Sequence, residues 1–136
     1  MNLPKPGYFS WNELVTPDED ASMDFYAAVF GWTVVPFENP NKPDYPGGKP
    51  YKLLKADDDP MRMAGGMIQC PMPKGCSQWV PYVVVENTDA TVEQAKSLGA
   101  ELLLEPTDIP NVGRIAVLKD PHGATIGVHQ LAQAGC

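Results

Sequence analysis

One short sequence pattern occurs twice in this chain, and its two copies are about 68 residues apart, which is half of the 136-residue length. In each copy, a run of strand-forming residues is followed by a helix start and then by a glycine. The runs begin at Trp11 and Trp79, and the glycines are Gly31 and Gly99. A glycine just past a helix supplies the positive φ that this position requires. The repeat therefore predicts one domain built from two paired modules.

The helix of the first copy has clear start signals. Thr16 is predicted to be its N-cap, with Pro17 in the first helical position and Glu19 completing a capping box. Its spacing of apolar residues predicts a core-facing side that includes Phe25 and Val29.

The repeat also predicts the limits of the modules. Module 1 is expected over about 8–69, a linker rich in Pro and Gly over about 70–78, and module 2 over about 79–131, all within a single domain of 1–136. Between them, the Pro-rich stretch 38–50 is expected to be a long loop. It is either the lid of a pocket or a plain surface insertion.

A hairpin is predicted near the end of the second module. The order Asp-Pro-His-Gly at 120–123 is the one favoured by a type I turn. Counting outward from that turn pairs Lys119 with Ala124 and Arg114 with His129. The latter two side chains are then expected on the same face of the sheet.

Composition excludes several classes of protein. The net charge of −7 argues against a nucleic-acid partner. The chain has no run of 18 apolar residues, so no membrane span is expected, and its start lacks the apolar core of a signal peptide. A cytoplasmic location follows as the default. Cys70, Cys76 and Cys136 are odd in number and match no common zinc spacing, so they are interpreted as free thiols.

Several short segments carry a family resemblance, in combination with the order strand, helix, three strands, given twice. The segments are Trp11-Asn12-Glu13-Leu14, Phe25-Tyr26, Phe30-Gly31-Trp32, 113–118 and 120–124. Together they resemble the vicinal oxygen chelate superfamily, also called the glyoxalase, bleomycin-resistance and extradiol-dioxygenase fold, and its small glyoxalase-like branch. The resemblance implies an α+β fold in which two βαβββ modules form a curved, mostly antiparallel eight-stranded cup, with a helix packed outside each module. It also implies ligands inside the cup and a homodimer.

Metal-using members of that superfamily typically place one ligand, drawn from His, Glu and Gln, on the first and last strands of each module. Carried over to this chain, these positions fall near Trp11 and Val80, at Gly127, and at Gly65 or Gly66. None of these side chains binds a divalent metal, whereas a catalytic metal site needs about three protein ligands. The sequence therefore predicts neither a metal nor another cofactor.

Two residues are candidates for proton transfer. If Trp11 faces the cup, Glu13 faces it as well, because strand side chains alternate with period two. Tyr82 occupies the equivalent place in the second module, so the two are expected to face one another. A Glu–Tyr pair is a plausible base and acid. The alternative is a structural hydrogen bond between them.

Five further residues are candidates for ligand binding, each with a structural alternative. Arg114 is suited to clamp an anion or else forms a salt bridge, and His129 either binds an anion or is a plain rim residue. Met67, Trp11 and Trp79 suit a flat apolar ligand or else belong to the core. The sequence does not decide which tryptophan faces the cup.

These observations favour a glyoxalase-like domain without the usual metal ligands, which binds a small, partly aromatic or anionic organic molecule in the cup. An enzyme is the alternative: a metal-independent isomerase or lyase with Glu13 as base and Tyr82 or His129 as acid, or a metal-dependent lyase or dioxygenase with displaced ligands. A purely structural or protein-binding role is the third possibility.

Overall fold

The computed structural model describes residues 3–36, 51–59, 62–70, 77–109 and 112–132, so the predicted 38–50 loop and most of the linker lie outside the described residues. The elements follow the order strand, helix, three strands, twice. They are β1 Phe9–Thr16, α1 Glu19–Phe30, β2 Thr33–Pro36, β3 Lys52–Lys55, β4 Gly65–Gln69, β5 Gln78–Val84, α2 Thr88–Ser97, β6 Glu101–Ile109, β7 Gly113–Lys119 and β8 Thr125–Leu131. The predicted α+β class and the two βαβββ modules are confirmed. Within the described ranges, no helix is long and apolar enough to cross a lipid bilayer.

The chain divides into two compact units. One is Asn12–Trp79, here called the α1 unit, and the other joins Met1–Trp11 to Val80–Cys136 and is called the α2 unit. In the α1 unit, β3 pairs antiparallel with β2 and β4, while β4 runs parallel to β1. In the α2 unit, β7 pairs antiparallel with β6 and β8, and β8 runs parallel to β5. Each unit therefore has one parallel and two antiparallel strand pairs.

In the α1 unit, the core lies between α1 and its sheet. Leu14, Leu54 and Met67 are buried there, and Met23 and Tyr26 of the helix pack against them. The predicted core face of α1 is wrong, because Phe25 is 60% exposed and Val29 is 54% exposed. Apolar residues lie on more than one side of this helix, so their spacing did not single out the side that packs.

The start of α1 differs from the prediction by two residues. Asp18, not Thr16, is the N-cap, and its carboxylate accepts a hydrogen bond from the Ala21 N–H at 3.0 Å. A negative charge at the N-cap also suits the positive end of the helix dipole. Thr16 instead accepts from the Asp18 N–H at 3.2 Å. Glu19 is buried, and its carboxylate forms an ion pair with Lys52 at 3.1 Å.

In the α2 unit, a second core packs between α2 and its sheet. Val92 of the helix is buried against Ala116, Leu118 and Val128 of β7 and β8. Asn87 caps this helix, and its side chain accepts from the Ala90 N–H at 2.9 Å.

The register of the β7–β8 hairpin corrects the sequence-based pairing by one residue. Asp120 pairs with Ala124 through a 2.7 Å backbone hydrogen bond, so the loop has three residues and ends at Gly123, whose φ is 96°. This is the hairpin loop in which a left-handed residue follows a type I turn. Arg114 then pairs with Gln130, and His129 with Ile115. Because a one-residue shift moves a side chain to the other face, Arg114 and His129 do not share a face.

The interpretation of all three cysteines as free thiols is wrong for Cys70, which is disulfide-bonded. This residue is buried at the end of the α1 unit's sheet, where its N–H donates to the Thr16 carbonyl at 2.7 Å. The other two cysteines lie outside the described residues.

Candidate functional site

The face of the α1 unit's sheet that points away from α1 carries a carboxylate and a phenol. Leu14 and Met67 pack towards the helix, so their strand neighbours Glu13 and Gly66 lie on the opposite face. Glu13 is directly across from Gly66 in the parallel pairing and is 7% exposed. The Tyr51 hydroxyl fills the space above Gly66, because a Cβ built there would lie 1.7 Å from it. Glu13 and the Tyr51 hydroxyl thus lie on the same face of the sheet, on either side of the Gly66 position.

The α2 unit repeats this arrangement of a tyrosine over a glycine. Tyr82 is directly across from Gly127 in the parallel β5–β8 pairing and is 2% exposed. A Cβ built on Gly127 would lie 2.3 Å from the Tyr82 ring. Val128 packs towards α2, so Gly127 and Tyr82 lie on the sheet face away from that helix. The expected pairing of Tyr82 with Glu13 stays a prediction.

His129 is buried, and both of its ring nitrogens are hydrogen-bonded. Nε2 lies 2.7 Å from the Val112 carbonyl oxygen, and Nδ1 lies 2.9 Å from the Ser10 hydroxyl. A carbonyl oxygen only accepts, so Nε2 carries a proton and donates it to Val112, and Nδ1 lies within hydrogen-bond distance of a hydroxyl that can donate or accept. Sequence reasoning missed Ser10, which is 119 residues away from His129 and shows no motif around it.

Arg114 forms the salt bridge that was the alternative to anion binding. Its Nε and Nη2 donate to the two carboxylate oxygens of Asp89 at 2.7 and 3.0 Å, and Nη1 lies 3.1 Å from a carboxylate oxygen of Asp108. The hydrogen bond to Asp89 raises the pKa of Arg114, and the same bond lowers the pKa of the Asp89 carboxyl. An anionic ligand would have to displace these carboxylates.

Two predicted ligand-binding residues lie on the α1 side of their sheet. Met67 is fully buried in the core with Leu14. Trp79 donates from Nε1 to the Tyr26 hydroxyl at 3.0 Å and packs edge-on against the rings of Tyr26 and Trp32. The structure thus accounts for both as packing residues. Trp11 is half-buried, and its role in ligand binding stays a prediction.

The model of one protein family, described as the Glyoxalase/Bleomycin resistance protein/Dioxygenase superfamily, matches residues 8–128. The chain belongs to this superfamily. The resemblance inferred from the repeated modules is thereby confirmed.

Two relatives are similar to this protein over most of the chain. "Putative glyoxylase CFP32" of Mycobacterium bovis is 40% identical over 122 residues, which are 90% of this chain and 43% of that protein. "Anthracycline biosynthesis protein DnrV" of Streptomyces peucetius is 34% identical over 131 residues, which are 90% of this chain and 46% of that protein. The chain therefore spans less than half the length of either relative.

Solved structures share the superfamily fold. A variant of Streptomyces coelicolor methylmalonyl-CoA epimerase in complex with 2-nitronate-propionyl-CoA has a TM-score of 0.60 and 19% identity, covering 95% of this chain and 100% of that one. A methylmalonyl-CoA epimerase in complex with methylmalonyl-CoA and NH4+ also gives 0.60, with 20% identity, covering 94% of this chain and 96% of that one. At this identity the likeness concerns the fold alone.

Among the described residues, the positions that the resemblance assigns to metal ligands do not carry side chains that fit a divalent metal. Val80 offers no donor, and Gly66 and Gly127 are each covered by a tyrosine instead of carrying a ligand side chain. Across the described parts of the chain, no three side chains of His, Cys, Asp or Glu come together as a metal site.

Proposed function

We propose that this glyoxalase-superfamily domain binds a small, flat organic molecule on the face of the α1 unit's sheet that points away from α1. One observation carries the proposal: Tyr51 lies over Gly66, beside Glu13, at a position where metal-using members place a ligand. A phenol and a carboxylate on one face suit a polar organic group better than a divalent cation.

The chemistry of this face indicates the class of ligand. Leu53 is directly across from Gly66, and Ile68 lies two residues after it, so both share the face with Tyr51. Apolar side chains and an aromatic ring favour a flat ring system. Glu13 accepts hydrogen bonds when ionised, which favours a ligand with a hydroxyl donor over an anion.

The similarity to "Anthracycline biosynthesis protein DnrV" supports the same class. Anthracyclines are flat, fused-ring aromatic molecules that carry phenolic hydroxyl groups. We therefore favour the aromatic ligand over the anionic one, in agreement with the occupied guanidinium of Arg114.

An enzyme is the second candidate. Glu13 is 7% exposed and shares its face with the Tyr51 phenol, a pairing that suits proton removal from a bound organic substrate. The name "Putative glyoxylase CFP32" of a 40% identical relative supports the enzymatic alternative. In this version, Glu13 is the base of a metal-independent isomerase or lyase.

Isothermal titration calorimetry with two flat probes tests the binding proposal: doxorubicin, which has phenolic hydroxyls, and anthraquinone-2-sulfonate, which is an anion without them. We expect saturable binding of doxorubicin, weakened roughly tenfold by Tyr51→Phe, which removes a hydroxyl, or by Glu13→Gln, which replaces a charged acceptor with a neutral amide. A tenfold change corresponds to about 1.4 kcal/mol. Glu93→Gln is the matched control, since Glu93 is an exposed side chain on α2. Equal weakening by Glu93→Gln would mean that only the overall charge attracts the probe.

Thermal unfolding with Zn, Ni, Mn and Fe(II) tests the metal-free part of the proposal. A metal at 100 times its dissociation constant would stabilise the folded state by about 2.7 kcal/mol. We expect no metal-selective rise in Tm. A rise of several degrees with one metal, absent in Glu13→Gln, would overturn the proposal and make Glu13 a displaced ligand.

A further inference from the structure

Ser10, His129 and the Val112 carbonyl form a chain of hydrogen bonds that the proposed ligand site does not use. Nδ1 of His129 lies 2.9 Å from the Ser10 hydroxyl, and Nε2–H of the same ring donates to the Val112 carbonyl at 2.7 Å. In the tautomer that carries its one proton on Nε2, the basic nitrogen Nδ1 is directed at the Ser10 hydroxyl. This is the arrangement of a nucleophile, a base and a third group that orients the base.

The backbone of the α2 unit fixes each member of this chain. The Val112 carbonyl also accepts from the Ala132 N–H at 3.1 Å, so its direction is set by the backbone. Val84 is directly across from His129 and donates its N–H to the Tyr8 carbonyl at 2.8 Å, which holds the segment before Ser10 against β5. His129 is 8% exposed and does not swing freely.

Ser10 is more exposed than its base. It is half-buried, whereas His129 is 8% exposed, and Tyr8, two residues before Ser10, is 66% exposed. An exposed ring two residues away offers apolar contact to an acyl group or an aryl leaving group.

We propose that Ser10 and His129 form a catalytic pair for acyl transfer from aryl esters to water. Ser10 Oγ attacks the ester carbonyl carbon while its proton passes to Nδ1 of His129. The bond from that carbon to the aryl oxygen breaks, and the imidazolium gives its proton to the leaving aryl oxide. Water then attacks the acyl-serine, with His129 taking and returning a proton, which releases the carboxylic acid and restores Ser10.

A fluorophosphonate probe and p-nitrophenyl acetate test the proposal on the full chain. In the first reaction, Ser10 Oγ displaces fluoride from phosphorus, leaving an adduct that peptide mass spectrometry locates. We expect the adduct on Ser10, and its loss in Ser10→Ala and in His129→Gln. Hydrolysis of p-nitrophenyl acetate should fall roughly a hundredfold in Ser10→Ala, a typical effect of removing such chemistry. Ser97→Ala is the control, since the Ser97 hydroxyl donates within its own helix to the Gln94 carbonyl at 2.6 Å.

The outcomes separate catalysis from a structural hydrogen bond. An adduct on Ser10 that survives in His129→Gln would show that His129 does not activate the serine and would overturn the pair. No adduct on Ser10 in the folded protein, or an unchanged hydrolysis rate in Ser10→Ala, would overturn it as well. If circular dichroism shows that His129→Gln does not fold, the test rests on the adduct and the hydrolysis rate of the unaltered chain, Ser10→Ala and Ser97→Ala. A rate that does not fall in Ser10→Ala would then overturn the proposal. None of these results depends on the ligand site at Tyr51.

Discussion

Gly66 and Gly127 show how a single missing side chain positions a functional group. Each lies in the last strand of its module, and each is covered by a tyrosine: Tyr51, which directly precedes β3, and Tyr82 of β5. Glycine inside a strand costs conformational entropy and often marks a close approach by another group. In this protein the approaching groups are the rings of Tyr51 and Tyr82.

Gly66→Ala is expected to destabilise the protein through Tyr51. The new Cβ would lie 1.7 Å from the Tyr51 hydroxyl and 2.4 Å from the carbon that bears it, so the ring must move. Overpacking of this kind typically costs about 1–3 kcal/mol of unfolding free energy. Urea denaturation of the variant and the unaltered chain measures this cost.

The same substitution in a Tyr51→Ala background is the control. There the added methyl group meets no ring, so the cost of Gly66→Ala should largely disappear, as expected for two residues in contact. An equal cost in both backgrounds would show that the backbone at Gly66, and not Tyr51, requires glycine.

At the scale of the element, the turn between β7 and β8 decides which side chains share a face. Asp120 accepts from the backbone N–H of Ala124 at 3.0 Å and of His122 at 2.8 Å through one carboxylate oxygen. These bonds, that to Ala124 foremost, lower the pKa of the Asp120 carboxyl. They also stabilise the three-residue loop that sets the register of the hairpin.

The stabilisation by Asp120 should depend on pH in a defined direction. A carboxyl whose pKa is lowered in the folded state contributes its full stability at a pH above its ordinary pKa of about 3.9. That contribution is lost as the pH falls through the pKa of the folded state. Asp120→Asn should therefore be less stable than the unaltered chain at pH 7, and the difference should shrink as the pH falls below the ordinary value. Denaturation between pH 7 and 3 measures it. Asp24→Asn, at an exposed position on α1, is the control for the loss of one negative charge. A stability difference for Asp120→Asn that is constant with pH would exclude the charge of Asp120 as its cause.

At the scale of the whole molecule, the disulfide of Cys70 changes the thiol count. The chain has three cysteines, and one disulfide leaves one thiol. We expect one titratable thiol per unfolded chain without reductant, and three after reduction. Native disulfides often stabilise a fold by about 2–4 kcal/mol, so reduction should also lower the Tm. Three thiols in the unreduced protein would contradict the bond.

Because disulfides are rare in cytosolic proteins, this count also bears on the predicted cytoplasmic location. The expected homodimer stays a prediction, which sedimentation would test.

Local patterns determined much of this protein. The glycines after each helix and the strand runs gave the order of the two modules, and the short motifs gave the superfamily. Such signals are readable because caps, turns and side-chain alternation involve residues only a few positions apart.

Tertiary structure decided what depends on distant residues. The β7–β8 loop has three residues, whereas the sequence-based pairing implied two. The added residue shifts the register by one position, so Arg114 and His129 lie on opposite faces of the sheet. Trp79 contacts Tyr26 on the α1 side of the sheet, and Ser10 contacts His129, which is 119 residues away in the sequence. No local propensity encodes such contacts, since their free energy arises only when separate strands and helices pack together.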